Sequence, residues 1–327
     1  MKRTLTATTE KWPLKKPFRI SRGVKTDALV VLVRITCGND VGRGECLPYP
    51  RYGESLDSVL AQIESVREAL EAGCDRNELQ QLLPAGAARN ALDCALLDLE
   101  CKQHGERAWQ RLGVKTPQAV TTAYTLSLDE PGNMAMAAGE NRHRALLKLK
   151  LGPENAAACV SAVRAAAPDA RLIVDANEAW SLDEFLAARE IFAGNGVEMV
   201  EQPLPAGQDD LLQGLSLPFL LGADESCHTH ADLDYLASIY QVVNIKLDKS
   251  GGITEATRMV VEAKRLGLEI MVGCMLTTSL SMAPAMMITR DARFVDLDGP
   301  LLLKYDRDPG LEYVNDQVHP PAATLWG

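Results

Sequence analysis

Six short apolar runs in the second half of the chain each close on a charged residue. ALLKLK ends at Lys150, RLIVD at Asp175, VEMVE at Glu201, FLLGAD at Asp224, VVNIK at Lys246, and RFVDLD at Asp296 and Asp298. From Lys150 to Lys246 the steps are 25, 26, 23 and 22 residues. Each step has room for one strand, one helix and two short loops. In a (β/α)8 barrel the C-terminal ends of the strands meet at one face, and the chemistry sits there. The period therefore gathers lysines and carboxylates around one pocket, the pattern of a metal site flanked by bases.

The 327 residues accommodate a barrel of about 250 residues and a smaller domain. A net charge of −10 without any dense Lys/Arg run argues against nucleic acid as a partner. The N-terminal MKRTLTATTEKWPLKKPFRI lacks the apolar core of a signal peptide, so a cytoplasmic location is expected. Residues 270–288 are uncharged and just long enough to suggest a membrane span. Gly273, Pro284 and the barrel period instead make them a strand followed by a helix, so no membrane partner is expected. The eight cysteines contain no CxxC pair and are expected as free thiols. Homo-oligomerisation is left open.

Residues 1–115 do not share the later period. RTLTATT and ALVVLVRIT alternate like strands, the second running through GND into VGRGEC, and predict an antiparallel sheet of about three strands. Helices follow over 55–72, over 75–83 with Asp75 and Glu78 in capping-box spacing, and over 88–104 ending at Gly105. In the last of these, residues 92, 95, 96 and 99 form the buried face. The segments FRISRGVKTD (18–27) and PYPRYGES (48–55) read either as plain surface loops or as a lid over a barrel mouth. Residues 116–299 read as the barrel, with strands near 120–126, 145–150, 171–175, 197–201, 219–224, 242–246, 269–273 and 293–297. Residues 300–327 form a tail expected to pack back on the first domain.

Asp175, Glu201 and Asp224 at the ends of strands 3, 4 and 5 would repel one another unless neutralised. Three carboxylates with no nitrogen or sulfur donor suit a hard cation, Mg²⁺ above all; separately, each acid could simply cap the helix that follows. Lys148 and Lys150 stand two apart and leave one face of their strand. An edge strand would leave them solvated, whereas inside a barrel they would lower each other's pKa toward that of a working base. Lys246 ends strand 6, four strands away, and so lies across the pocket from Lys150. A substrate carboxylate on the metal would present its α-carbon between the two, which points to inversion of configuration. Asp296 and Asp298 suit an ammonium group on the substrate. GRGE (42–45) is no dinucleotide site, SGGIT reads as a tight turn, and His228 has no partner histidine.

Together KxK (Lys148, Lys150), DAN (Asp175–Asn177), EQP (Glu201–Pro203), DES (Asp224–Ser226) and the lysine of NIKLDKSGGIT resemble the enolase superfamily in its muconate lactonizing subgroup. The resemblance implies an α/β fold, a modified TIM barrel of (β/α)7β-like type with an α+β capping domain, and Mg²⁺ as cofactor. The strand-8 DxD is similar to that of the dipeptide epimerases. It implies a small-molecule dipeptide substrate of the Ala-Glu type, with the Glu carboxylate on Mg²⁺ and a role in murein peptide recycling. Thr125 would then contact the substrate, and Arg22 or Lys25 would meet its side-chain carboxylate. The alternatives are a cycloisomerase-like or dehydrating lyase of the same subgroup, which needs no amine site, and an epimerase for another dipeptide.

Overall fold

The computed structural model describes residues 2–327. Strands Arg3–Ile20, Gly23–Cys37 and Asp40–Cys46 form an antiparallel sheet in sequence order. Alternation sends Val31, Val33 and Ile35 to one core and Ala28 and Val30 to another, as the two faces of a strand require. The 18–27 segment is not a loop. Its halves pair as Phe18–Lys25, Arg19–Val24 and Ile20–Gly23, so the segment is the tip of a long hairpin.

The helix expected over 55–72 is two, Leu56–Ser65 and Arg67–Ala72, because Val66 leaves helical geometry between them. Helix Arg76–Leu82 starts on the Asp75/Glu78 capping box, and helix Ala87–His104 stops at left-handed Gly105. This last helix is buried beyond the expected face, since it lies between the sheet and the barrel. Its polar residues make the joint: Arg89 donates to the carbonyls of Ser250 and Gly251, Asn90 donates to Asp248, and Asp93 accepts from the Thr254 N–H. SGGIT is therefore a turn seated on this helix. The glycines of GRGE have a packing reason. A Cβ on Gly42 or Gly44 would overlap the Ala95 or Ala91 carbonyl, so only glycine lets the sheet sit this close to the helix.

The second core is an eight-stranded parallel sheet with strands in sequence order: Tyr124–Leu126, Leu146–Lys150, Arg171–Asp175, Val197–Glu201, Leu220–Ala223, Val242–Ile245, Glu269–Val272 and Phe294–Val295. The Ala123 N–H donates to the Val295 carbonyl at 2.8 Å, joining the two ends of the sheet. Ala123, Leu146, Ile173, Met199, Leu220, Val242, Met271 and Phe294 form one inner cluster, a residue from each strand or its edge, which fills the barrel interior. The first strand is shorter than expected. Val120–Thr121 leaves the barrel to pair with Gln317–Val318 of the tail.

Helical connections weaken past the fourth strand, where only the turn Asp209–Leu212 intervenes, and the eighth strand is followed by a single turn, Gly299–Leu302. Within 270–288 a strand ends at Val272 and a helix covers Ser279–Ala285. Among the described residues no helix is long and apolar enough to cross a membrane. Arg307 in the tail pairs with Glu10 and Glu45 of the N-terminal sheet, and the Trp326 indole donates to the Cys94 carbonyl.

Candidate active site at the barrel mouth

Strand register sets the acids side by side. Lys150 is level with Asp175, Asp175 with Glu201, and Glu201 with Gly222, two residues before Asp224. One carboxylate oxygen from each of Asp175, Glu201 and Asp224 lies within 4.8 Å of the others, and all three residues are buried. An octahedral Mg²⁺ with bonds of about 2.1 Å sets neighbouring ligand oxygens roughly 3 Å apart and opposite ones about 4 Å apart. The oxygen-only set and its spacing fit such an ion.

Their electrostatics differ. Burial opposes ionisation of Asp175 and Asp224, but Lys150 and Lys148 hold the first below the usual carboxylate range, and Lys246 and Lys249 the second. Glu201 is pushed up to about 8, by burial and then by Asp175. It is the acid with most to gain from a bound cation.

Lys148 and Lys150 are both buried, so they are not the solvated lysines of an edge strand. Lys148 Nζ lies 2.7 Å from Glu201 Oε2 and 3.1 Å from Asp175 Oδ2, and donates to Asp296 Oδ2 at 2.9 Å. Lys150 donates to Asp175 at 2.5 Å and Lys246 to Asp224 at 2.6 Å. At Lys148 the neighbouring acids outweigh any lowering by Lys150, and Lys246 is held in the same way. Burial lowers both, yet the acids around them outweigh it and raise both. Against the protein's own charges these ammonium groups are stabilised.

Asp296 and Asp298 stand at the opposite wall. Asp298 accepts the Thr125 backbone N–H at 2.6 Å, so Thr125 lines the pocket while its amide braces the acid. Burial and then Asp296 push Asp298 up to about 7. Asp296 gives one oxygen to Lys148, and its Oδ1 is buried without a hydrogen-bond partner. That free acceptor fits a ligand ammonium.

The hairpin tip closes over these groups. Arg22 donates to Glu225 at 2.7 Å, Glu178 at 3.0 Å, the Asn177 carbonyl at 2.8 Å and the Tyr49 hydroxyl at 3.1 Å. Arg51, from the 48–55 segment, grips the same Glu178 through two hydrogen bonds. Lys25 also lines the pocket, 4.8 Å from the Tyr49 ring centroid. Among the described residues it has no carboxylate partner, and burial and then Arg22 lower its pKa. The hollow between these groups is about 70 Å³, room for a few waters at ~10–15 Å³ each.

Four residues here escaped the sequence reading. Glu178 directly follows DAN, Glu225 is the middle residue of DES, Asn244 stands two before Lys246, and Lys249 lies one helical turn after it. The alternation around Lys246 carried the signal for Asn244. His228 packs edge-on against Tyr52, its ring hydrogen-bonded to the Glu225 carbonyl.

Residues 2–113 match the mandelate racemase/muconate lactonizing enzyme N-terminal domain, and residues 133–324 the enolase C-terminal domain-like family. The chain is 45% identical to the L-Ala-D/L-Glu epimerase of Escherichia coli K12 over 319 residues, 97% of this chain and 99% of that one. A crystal structure of an enolase family member from Agrobacterium tumefaciens, with homology to dipeptide epimerases and with bound sodium and L-Ala-L-Glu, superposes with a TM-score of 0.97. It is 51% identical and covers 99% of this chain and 100% of its own. The dipeptide epimerase of Enterococcus faecalis V583, complexed with Mg and L-Leu-L-Tyr, gives a TM-score of 0.92 at 29% identity, covering 100% and 99%. With both halves matched and the mouth built as described, the chain belongs to the mandelate racemase/muconate lactonizing enzyme family of the enolase superfamily.

Proposed function

We propose that this protein is a dipeptide epimerase that inverts the α-carbon of the C-terminal glutamate in L-Ala-D/L-Glu, serving murein peptide recycling in the cytoplasm. The observation that carries the reading is the pair of buried lysines, Lys150 on strand 2 and Lys246 on strand 6, with the acid triad on the arc between them. Asp175, Glu201 and Asp224 would hold Mg²⁺, which would supply positive charge beside an enediolate, worth several kcal/mol. Lys150 and Lys246 take the α-proton from one face and return it to the other. Lys148 neutralises the substrate carboxylate beside them. Asp296, through its free oxygen, and Asp298 hold the substrate ammonium.

Arg22 is committed to the lid contacts, so Lys25, without an acid of its own, meets the substrate's side-chain carboxylate. With the hairpin tip down, water is kept from the enediolate. The test is incubation of L-Ala-L-Glu with protein and Mg²⁺ in D₂O. The expected product mixture contains L-Ala-D-Glu carrying one deuteron. Absence of both exchange and epimerisation, with a wider dipeptide set equally inert, refutes the reading.

A further inference from the structure

The three triad carboxylates share one arrangement: a donor of the protein holds one oxygen of each, and the other oxygen faces the lysines. Asp175 Oδ1 accepts the Asn177 backbone N–H at 2.9 Å, while its Oδ2 faces Lys148 and Lys150. Glu201 Oε1 accepts from Asn244 Nδ2 at 2.6 Å, while its Oε2 faces Lys148 and has no hydrogen-bond partner. Asp224 Oδ1 accepts from Lys249 at 2.6 Å, while its Oδ2 takes Lys246 at 2.6 Å.

The donors are fixed in their turn. Lys249 also donates to the carbonyls of Asp224 and Asn244, so all three of its ammonium protons have acceptors. The Asn244 amide lies where a Cβ on Gly273 would overlap it. Glycine at 273 makes the space this amide occupies.

We propose that Asn244 and Lys249, with the Asn177 amide, hold the triad as one-oxygen ligands and thereby set which divalent ion the site prefers. The proposal rests on the metal reading above. Mg²⁺ takes six oxygens at about 2.0–2.1 Å in near-ideal octahedral geometry, whereas Ca²⁺ takes about 6–8 at 2.3–2.6 Å and readily uses both oxygens of a carboxylate. A carboxylate whose second oxygen is already bonded cannot swing to two-oxygen coordination without breaking a buried, charge-assisted hydrogen bond. Asn244 and Lys249 thus count against Ca²⁺ and leave Mg²⁺ untouched.

The test is calorimetric titration of Mg²⁺ and of Ca²⁺ into the wild type, Asn244→Leu, Lys249→Met and Lys249→Arg, with folding checked by circular dichroism. Asn244→Leu alters no charge. Lys249→Met removes a positive charge that repels both ions alike, so the ratio of the two Kd values isolates geometry. The wild type is expected to favour Mg²⁺. Asn244→Leu and Lys249→Met should each move the ratio toward Ca²⁺ by about tenfold, at the low end of what partners of metal ligands contribute. Lys249→Arg, which keeps a donor, should stay near the wild type. If Lys249→Met does not fold, Asn244→Leu carries the test. An unchanged ratio in folded Asn244→Leu overturns the proposal and leaves the metal reading standing. A wild type that binds neither ion overturns the metal reading itself.

Discussion

Glu45 and Glu201 are both fully buried carboxylates, yet their oxygens are treated differently. Glu45 accepts from the Thr278 amide at 2.8 Å, the Thr278 hydroxyl at 2.6 Å and Arg307 at 2.9 and 2.5 Å. Arg307 continues to Glu10 and lies over the Trp12 ring. That network ties the N-terminal sheet, the connection after the seventh barrel strand and the tail together, with each oxygen of Glu45 paired. Glu201 has a hydrogen bond on Oε1 only, its Oε2 being left to the charge of Lys148 2.7 Å away. Seven buried side-chain polar atoms lack a partner among the described residues, and five of them are at the mouth: Asn177 Oδ1, Glu201 Oε2, Glu225 Oε2, Asn244 Oδ1 and Asp296 Oδ1. Each such atom costs about 1–3 kcal/mol. Concentrating them in one place sacrifices stability where a ligand can restore it. Saturated charges join parts; unsaturated ones await a ligand.

Substitutions at the mouth should therefore remove activity and spare the fold. The largest effects belong to the lysines. Lys150→Ala and Lys246→Ala should each stop L/D interconversion, because the remaining base lies on the wrong face of the α-carbon. In D₂O each should still label one stereoisomer with retention, and not the same one. Full epimerisation by either variant breaks the two-base arrangement. Glu201→Gln and Asp224→Asn should lower kcat by about 10³-fold or more, as the loss of several kcal/mol of charge stabilisation requires. Chelation should silence the wild type until Mg²⁺ is restored.

Next in size is the amine wall. Asp296→Asn should lower kcat/KM on free L-Ala-L-Glu by about 2–5 kcal/mol, the range for breaking a buried charge pair. N-acetyl-L-Ala-L-Glu presents no ammonium and should be a poor substrate for the wild type. Equal rates on the free and acetylated dipeptides would remove the amine role from this pair. Glu45→Gln should do the reverse of the mouth variants, lowering unfolding free energy by about 3 kcal/mol while the folded fraction keeps its kcat/KM. A Glu45→Gln protein of normal stability and no activity would erase the contrast drawn above.

The saturated and unsaturated networks were not equally legible in the sequence. The mouth was, because a parallel barrel repeats: the step from Lys150 to Lys246 and the two-residue alternation at Lys148/Lys150 are local signals read from one chain segment at a time. The groups that complete the site were harder to see. Lys249 acts from a helical turn beyond its strand, and Glu225 and Glu178 act through a hairpin tip about 150–200 residues earlier in the chain. The joining network left almost no trace. Glu45 and Arg307 are 262 residues apart, and nothing in GRGE or in DRDPG announces that they meet. The strand character of the hairpin tip is hidden for a related reason: the register shift between Pro13 and Phe18 interrupts the alternation that marks a strand.

Asp248 tests the boundary between the two networks with the smallest effect. It lies two residues beyond Lys246, yet it belongs with the joining groups, since Oδ1 accepts from the Leu47 amide at 3.1 Å and from Asn90 at 3.0 Å. Burial lifts its pKa from 3.8 to about 7, against the smaller downward pull of those two donors. An acid whose pKa is higher folded than unfolded binds extra proton in the folded state. Its contribution to stability is whole below about pH 4 and is lost as the pH rises through about 7. Asn at this position keeps the accepting oxygen and cannot ionise. Asp248→Asn should then match the wild type most closely near pH 4 and exceed it by about 2 kcal/mol at pH 8, a conservative fraction of a three-unit shift at 1.36 kcal/mol per unit. Urea unfolding of both proteins at the two pH values, compared pairwise, cancels the titration of every other group. Because Leu47 stays seated, kcat/KM at pH 8 should be unchanged. If the stability gap fails to widen with pH while kcat/KM collapses, Asp248 acts with Lys246 in the chemistry, and the unsaturated network extends one turn deeper than drawn here.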